Sequence, residues 1–259
     1  MTLGLLWQNA ACVLALMTAV WVVSVARRDV SIVDPWWPIA FLLVTGNTIA
    51  RTGPTPAKWL LLLMVTAWAV RLWLHLLLRS RGKPEDPRYA AFRQRYGPER
   101  YWWVSYFQVF LLQGLLVILI SAPLQLAGSA QLPDRITPTD VAGLLLFLAG
   151  CGIEVVADAQ LQSFRNDPTQ RGRVLDTGLW RYSRHPNYFG EAVLWWGFWL
   201  CATSEPWGWA SVLAPLLMTF LLLEVSGVAM LDAQLTGTKP GYGEYVRRTS
   251  AFVLRPPRR

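Results

Sequence analysis

Between Leu179 and Glu191 the chain reads LWRYSRHPNYFGE, placing ionisable and hydrogen-bonding side chains at the entrance to a strongly apolar segment. Arg181, Arg184 and His185 are cationic donors, Pro186 stops an incoming helix, and Asn187, Tyr188 and Glu191 open the next one. That order suits an anionic ligand at a helix start, where unsatisfied N–H groups and the helix dipole favour negative charge. A basic loop touching lipid headgroups would use the arginines but not Asn187, Tyr188 and Glu191. Upstream, Glu154, Asp158, Gln162 and Arg165 recur at helical intervals and share one face, which runs into a second basic stretch holding Arg171 and Arg173. Arginine forks match phosphate oxygens better than lysine does. A polyphosphate cofactor is therefore expected, with Asp158, Asn187 and Glu191 reading ribose hydroxyls and an amide.

Other chemistries lack their residues. The string Gly150-Cys151-Gly152 has no third glycine and falls inside an apolar helix, so it is read as close helix packing and not as a dinucleotide fingerprint. There is no Walker loop and no HExxH helix, and Ser183 near His185 lacks a third group for hydrolysis. Cys12, Cys151 and Cys201 lie in apolar runs without metal-ligand spacing, so neither disulfides nor a metal site is expected.

Positioning these side chains falls to membrane helices. Of 259 residues 54% are hydrophobic and only 15% charged, with 15 tryptophans, a balance outside that of soluble domains. The net charge of +8 sits in short runs between apolar segments, where it sets topology, and no nucleic-acid partner is implied. The pattern predicts an all-α polytopic bundle of seven transmembrane helices forming one domain over residues 1–259. The spans are expected at 1–26, 32–50, 59–78, 103–127, 141–159, 188–203 and 207–230, the sixth being short. Arginine and lysine follow the odd-numbered spans, which puts the amino terminus outside and the carboxyl terminus in the cytoplasm.

Charged groups inside spans are costly and mark cavities or pathways. Asp34, Arg71, His75, Glu154, Asp158, Glu191 and Glu224 all fall in the expected cytoplasmic half, which predicts a polar cavity open to the cytosol. Pairing that merely holds the bundle together is an equal reading for Arg71, His75 and Glu224. Most tryptophans are expected at the membrane interfaces, with Trp36, Trp37 and Trp68 available to wall a flat apolar slot.

The segment TGLWRYSRHPNYFGE resembles the signature shared by membrane sterol reductases, steroid 5α-reductases and isoprenylcysteine carboxyl methyltransferases. With VSIVDPWWP, RGKPEDPRY and the tail GYGEYVRRTSAF, the whole chain looks most like the bacterial steroid 5α-reductase-like proteins, the DUF1295 group. The resemblance implies NADPH bound from the cytoplasmic side of a bacterial inner membrane, with Asp158, Arg165, Asn187 and Glu191 at family cofactor positions. Lys83 falls in the matching Arg-Gly-Lys-Pro turn, Arg173 and Tyr182 match less closely, and Arg171 and His185 are added on chemistry.

The implied reaction is reduction of the carbon–carbon double bond of a 3-oxo-4-ene steroid or related enone lipid by a monomeric enzyme. Such a step needs a donor at the developing oxyanion. Asp34 stands where the family has a glutamate, and would have to be protonated to donate. The family's tyrosine has no counterpart in the third span, so Tyr101, Tyr89 or a water stands in, Tyr101 being set beside Asp34 as the catalytic pair. Two other readings share the sequence: an S-adenosylmethionine-dependent membrane methyltransferase of the isoprenylcysteine type, which leaves the phosphate-binding arginines without purpose, and a non-enzymatic lipid-binding or scaffold protein.

Overall fold

The computed structural model describes residues 1–130, 135–225 and 227–258, and among them every regular element is helical. Ser226, inside the last expected span, and Arg259, at the end of the basic tail, lie outside the described residues. Five helical stretches are long and apolar enough to cross a membrane: Leu3–Arg27, Pro56–Ser80, Pro98–Ile120, Pro138–Asn166 and Gly208–Thr238. They fit an integral membrane protein. The other two expected segments are also helical. One falls short in length, at 17 residues, and the other is diluted by Asp34, Pro35, Pro38 and Asn47.

The chain divides into two compact units, residues 1–137 with 202–211, and residues 138–201 with 212–259. In the first, α1 (Leu3–Arg27) is capped by the Thr2 hydroxyl and ends at Arg28, whose positive φ of 53° closes the helix in the left-handed region. A short turn at Val30–Ile32 leads into α2 (Val33–Thr52), and α3 (Pro56–Ser80) starts with Thr55 as cap and Pro56 in the first turn, where the missing N–H costs nothing. The short polar α4 (Pro87–Tyr96), capped by Asp86, is followed by α5 (Pro98–Ser105). A wider turn at Tyr106–Leu111 links α5 to α6 (Leu112–Ile120), and α7 (Ala122–Gly128) follows. Phe41, Trp68, Phe110 and Leu124 are fully enclosed in this unit.

The same core holds polar groups that the sequence reading did not anticipate. Asn9 Nδ2 donates to Thr48 Oγ1 at 2.9 Å and to Gln125 Oε1 at 3.0 Å, and Asn47 Nδ2 donates to Asn9 Oδ1 at 2.7 Å. Hydrogen bonds of this kind tie helices together where the hydrophobic effect gives no preference between helix and lipid.

In the second unit, α8 (Pro138–Asn166) has 29 residues and runs about 44 Å, longer than a hydrocarbon core of about 30 Å. α9 (Pro186–Ala202) packs against it antiparallel through glycines spaced seven apart on each helix. A Cβ on Gly150 would lie 2.5 Å from Leu194 N and 2.6 Å from Gly190 O, and one on Gly197 would lie 2.7 Å from Gly143 O. Gly150 therefore serves close packing, as expected. Gly152 does not, for nothing lies within 4 Å of a Cβ there. α10 (Leu213–Phe220), a wider turn at Leu221–Val225, α11 (Val228–Thr238) and α12 (Tyr242–Arg248) complete the unit.

Candidate functional site

In the second unit the signature loop is fastened to α8 from one side. Leu179 N donates to Gln160 Oε1 at 3.0 Å, and Trp180 Nε1 donates to the carbonyl of Ala157 at 3.1 Å. The chain tail fastens the other side. Arg184 N donates to Ser250 O at 2.8 Å, Ser183 Oγ to Phe252 O at 2.7 Å, and the Tyr245 hydroxyl to the carbonyls of Trp180 and Ser183.

At the centre of that clamp is Asp232 on α11. Arg184 donates to it through Nε and Nη2, the latter at 2.6 Å, and spends Nη1 on Thr249 O and Val246 O. His185 Nε2 lies 3.1 Å from Asp232 Oδ1, and the Tyr242 hydroxyl donates to the same oxygen at 2.5 Å. His185 also stacks on Tyr188, ring centroids 5.6 Å apart. Arg184 and His185 therefore hold the loop's shape. Burial, together with the neighbouring Asp232, pushes the Tyr242 phenol above its ordinary range, so it remains a donor.

Beyond Pro186 the structure joins two of the expected site residues and places a third one turn away. Asn187 Nδ2 donates to Asp158 Oδ1 at 3.2 Å, and Glu191, one turn further along α9, is buried and accepts from Trp195 Nε1 at 3.0 Å. The other amide atom, Asn187 Oδ1, is shielded from solvent and meets no donor among the described residues, which makes it an acceptor for a ligand hydroxyl or amide. Glu154, whose role the sequence left open, is buried where α8 passes Gly190.

Arg165, Arg171 and Arg173 are exposed, at the last turn of α8 and around the turn Pro168–Gln170. Arg173 lies on the rim of a groove of about 830 Å³ along α8, walled by Val155, Val156 and Phe164. Arg171 is not among the residues lining it. Tyr182 is exposed, and its carbonyl accepts from Arg255 N at 3.1 Å.

The first unit carries the remaining expected residues. Asp34, in the first turn of α2, accepts from the Tyr89 hydroxyl at 2.7 Å and from Arg88 Nη2 at 3.0 Å. Arg88 also pairs with Asp86 through Nε at 2.9 Å. Burial and the facing Asp34 carboxylate hold the Tyr89 phenol well above its ordinary 10.0, so it stays protonated and donates.

Tyr101 lies elsewhere in this unit. It is fully buried, parallel to Tyr96 and under the Arg93 guanidinium, and its hydroxyl meets no hydrogen-bond partner among the described residues. Of the three tryptophans, Trp37 and Trp68 are bridged edge-on by Phe41, at 4.7 and 5.6 Å, whereas Trp36 is 39% exposed. Lys83 is exposed in the turn after α3, its N–H bonded to Ser80 O.

Sequence reasoning missed Asp232, Tyr242 and Tyr245 as partners of the signature. Asp232 stands two residues beyond the boundary drawn for the last span at residue 230. A span carried to Thr238 would have enclosed it and flagged a costly acid.

An all-helical chain with several apolar helices and a signature loop laced to its own tail defines a polytopic membrane protein. Residues 20–249 match the family described as a protein of unknown function, DUF1295, and the chain belongs to that family. An uncharacterized protein of Schizosaccharomyces pombe is 30% identical over 207 residues, which is 70% of this chain and 59% of that protein, so the match spans less than two thirds of the relative's length. No solved structure gives a significant match.

Proposed function

We propose that this chain is an NADPH-dependent reductase of the carbon–carbon double bond of 3-oxo-4-ene steroids or related enone lipids. The observation that carries the reading is the buried Tyr89 hydroxyl, held at 2.7 Å on Asp34 with Arg88 on the carboxylate's other oxygen. It offers one oriented phenol beside a carboxylate and a guanidinium. NADPH, when bound, supplies the hydride for the carbon beta to the carbonyl. Tyr89 would turn its one phenolic hydrogen from Asp34 to the oxygen on which charge collects, a role worth about 10²-fold or more in rate, and a proton from water would add at the alpha carbon to complete the reduction, while Asp34 and Arg88 hold the phenol in place. As an acceptor from both neighbours, Asp34 is assigned positioning and not donation.

For the nucleotide, Arg165, Arg171 and Arg173 serve the phosphates, and Asp158, Asn187 and Glu191 serve hydroxyls and the amide. Lys83 and Tyr182 lie at the margin, and His185, engaged with Asp232, positions the loop. Trp37 and Trp68 wall the substrate slot. The full proposal is a seven-span monomer of a bacterial inner membrane, with its amino terminus outside and its site open to the cytoplasm. Supporting it are the resemblance in the signature and the unmet acceptor at Asn187 Oδ1.

The test is titration of detergent-purified protein with NADPH, NADH and S-adenosylmethionine, followed by turnover of enone steroids. NADPH should bind best, and Tyr89→Phe should lower kcat about 10²-fold with NADPH affinity unchanged. Binding of S-adenosylmethionine alone would replace the reductase with a methyltransferase, and binding of none would leave the lipid-binding reading.

A further inference from the structure

The elbow formed by the end of α3, α4 and the start of α5 carries two sets of charged side chains, one paired and one exposed. The paired set is engaged with neighbouring elements. Arg88 holds Asp34 and Asp86, while Arg93 grips Glu85 at 2.8 Å and also donates to the carbonyl of Arg28 at 3.2 Å. Glu85 in turn accepts from Val30 N at 2.8 Å, and Trp21 Nε1 donates to Trp102 O at 2.8 Å, so the end of α1 is at the same end of the unit. These pairings consume two of the elbow's three acids, Glu85 and Asp86. Burial alone would raise Glu85, but the Arg93 and Val30 hydrogen bonds outweigh it, and Glu85 and Asp86 both lie below their ordinary values as settled anions.

Left exposed are Arg81, Lys83, Arg95 and Arg100 of the elbow, with Arg27 and Arg28 at the end of α1. All are exposed and none has an ion-pair partner among the described residues. Glu99 is the exposed acid beside them. Interleaved with the cations are Tyr96, Trp102 and Trp103, exposed by 37%, 50% and 46%. Aromatic rings of this kind settle at the headgroup level of a bilayer, and cations beside them meet the negative potential of anionic lipids.

The geometry points to this elbow as a binding surface for the headgroups of anionic phospholipids. Glu85 and Asp86 are neutralised within the protein and Glu99 offsets one of the exposed cations, so an excess of positive charge remains whose natural counter-charge is a lipid phosphate. This surface requires no enzymatic activity, and its test is independent of the reductase reading.

The protein is reconstituted in nanodiscs of pure phosphatidylcholine or of phosphatidylcholine with a minority of phosphatidylglycerol. Thermal midpoint and retained lipid are then read, the latter by mass spectrometry. Wild type should gain midpoint with phosphatidylglycerol and retain it over phosphatidylcholine. The variant Arg81→Gln/Lys83→Gln/Arg95→Gln/Arg100→Gln should lose that preference, about fivefold per charge removed. Arg81→Lys/Arg95→Lys/Arg100→Lys should keep it. The midpoint in pure phosphatidylcholine reports folding, and Arg95→Gln/Arg100→Gln provides a milder variant. No preference in wild type, or a preference that survives all four glutamines, overturns the proposal. An equal shift with soluble inorganic phosphate, or loss of lipid retention when NADPH is added, assigns the cations to a soluble anion and overturns it equally.

Discussion

Replacing Gly150 by alanine tests whether α8 and α9 are held at backbone contact. The added methyl would lie 2.5 Å from Leu194 N and 2.6 Å from Gly190 O, both main-chain atoms that no rotamer change can move. Reaching ordinary contact distance requires the helices to part by about 1 Å, a gap that forfeits a quarter to a half of the dispersion energy across the seam. Overpacking of this kind costs about 1–3 kcal/mol. The control lies two residues away on the same helix: Gly152→Ala meets nothing within 4 Å. Both variants gain the same helix propensity, about 1 kcal/mol, so their difference isolates the packing cost. In detergent, thermal unfolding should place Gly150→Ala below Gly152→Ala by several degrees, at about 2–4 °C per kcal/mol. Equal midpoints would refute the interlocked seam.

Arg184→Ala should destabilise by about 3–5 kcal/mol, because it leaves the mostly buried Asp232 without its main counter-ion; denaturant or thermal unfolding measures this. Tyr245→Phe removes the hydroxyl donated to Trp180 O and Ser183 O and should cost about 1–2 kcal/mol by the same assay. For Glu85, whose folded pKa is below its ordinary 4.5, the stabilisation is present above 4.5 and fades as pH falls through the lowered folded value. The midpoint of wild type should therefore drop on acidification in that range, and Glu85→Gln, already lacking the charge, should flatten that part of the profile. In the binding assay, Arg171→Ala/Arg173→Ala should weaken NADPH by about tenfold or more and leave S-adenosylmethionine unaffected, since the arginines are assigned to phosphate.

Apolar runs and their breaks announced the helices, because burying backbone hydrogen bonds in lipid leaves a chain few alternatives. Pairing between distant segments was far less visible. The Asp158–Asn187 contact could be anticipated, since both residues border the same loop and have types that hydrogen-bond. The Asp232 knot joins groups 47 and 48 positions apart, and no local spacing encodes which acid meets Arg184. Asp34 and Tyr89 are 55 residues apart, so local spacing gave no ground for preferring Tyr89, and the sequence reading set Tyr101 beside Asp34 instead. The Asn9, Asn47 and Gln125 cluster was overlooked for a related reason: only charged groups were read as costly, yet amides once buried must also find partners.

The lacing of the signature loop to Asp232, Tyr245 and Phe252 has a consequence for biosynthesis. A ribosome delivers Arg184 and His185 long before it delivers the residues that hold them. During that interval the nascent chain carries the loop without its shape, with a guanidinium waiting for an anion still to be made. Emergence of Asp232 to Phe252 would then act as the step that closes the loop, and a message truncated before Asp232 would yield every residue of the signature but no formed loop.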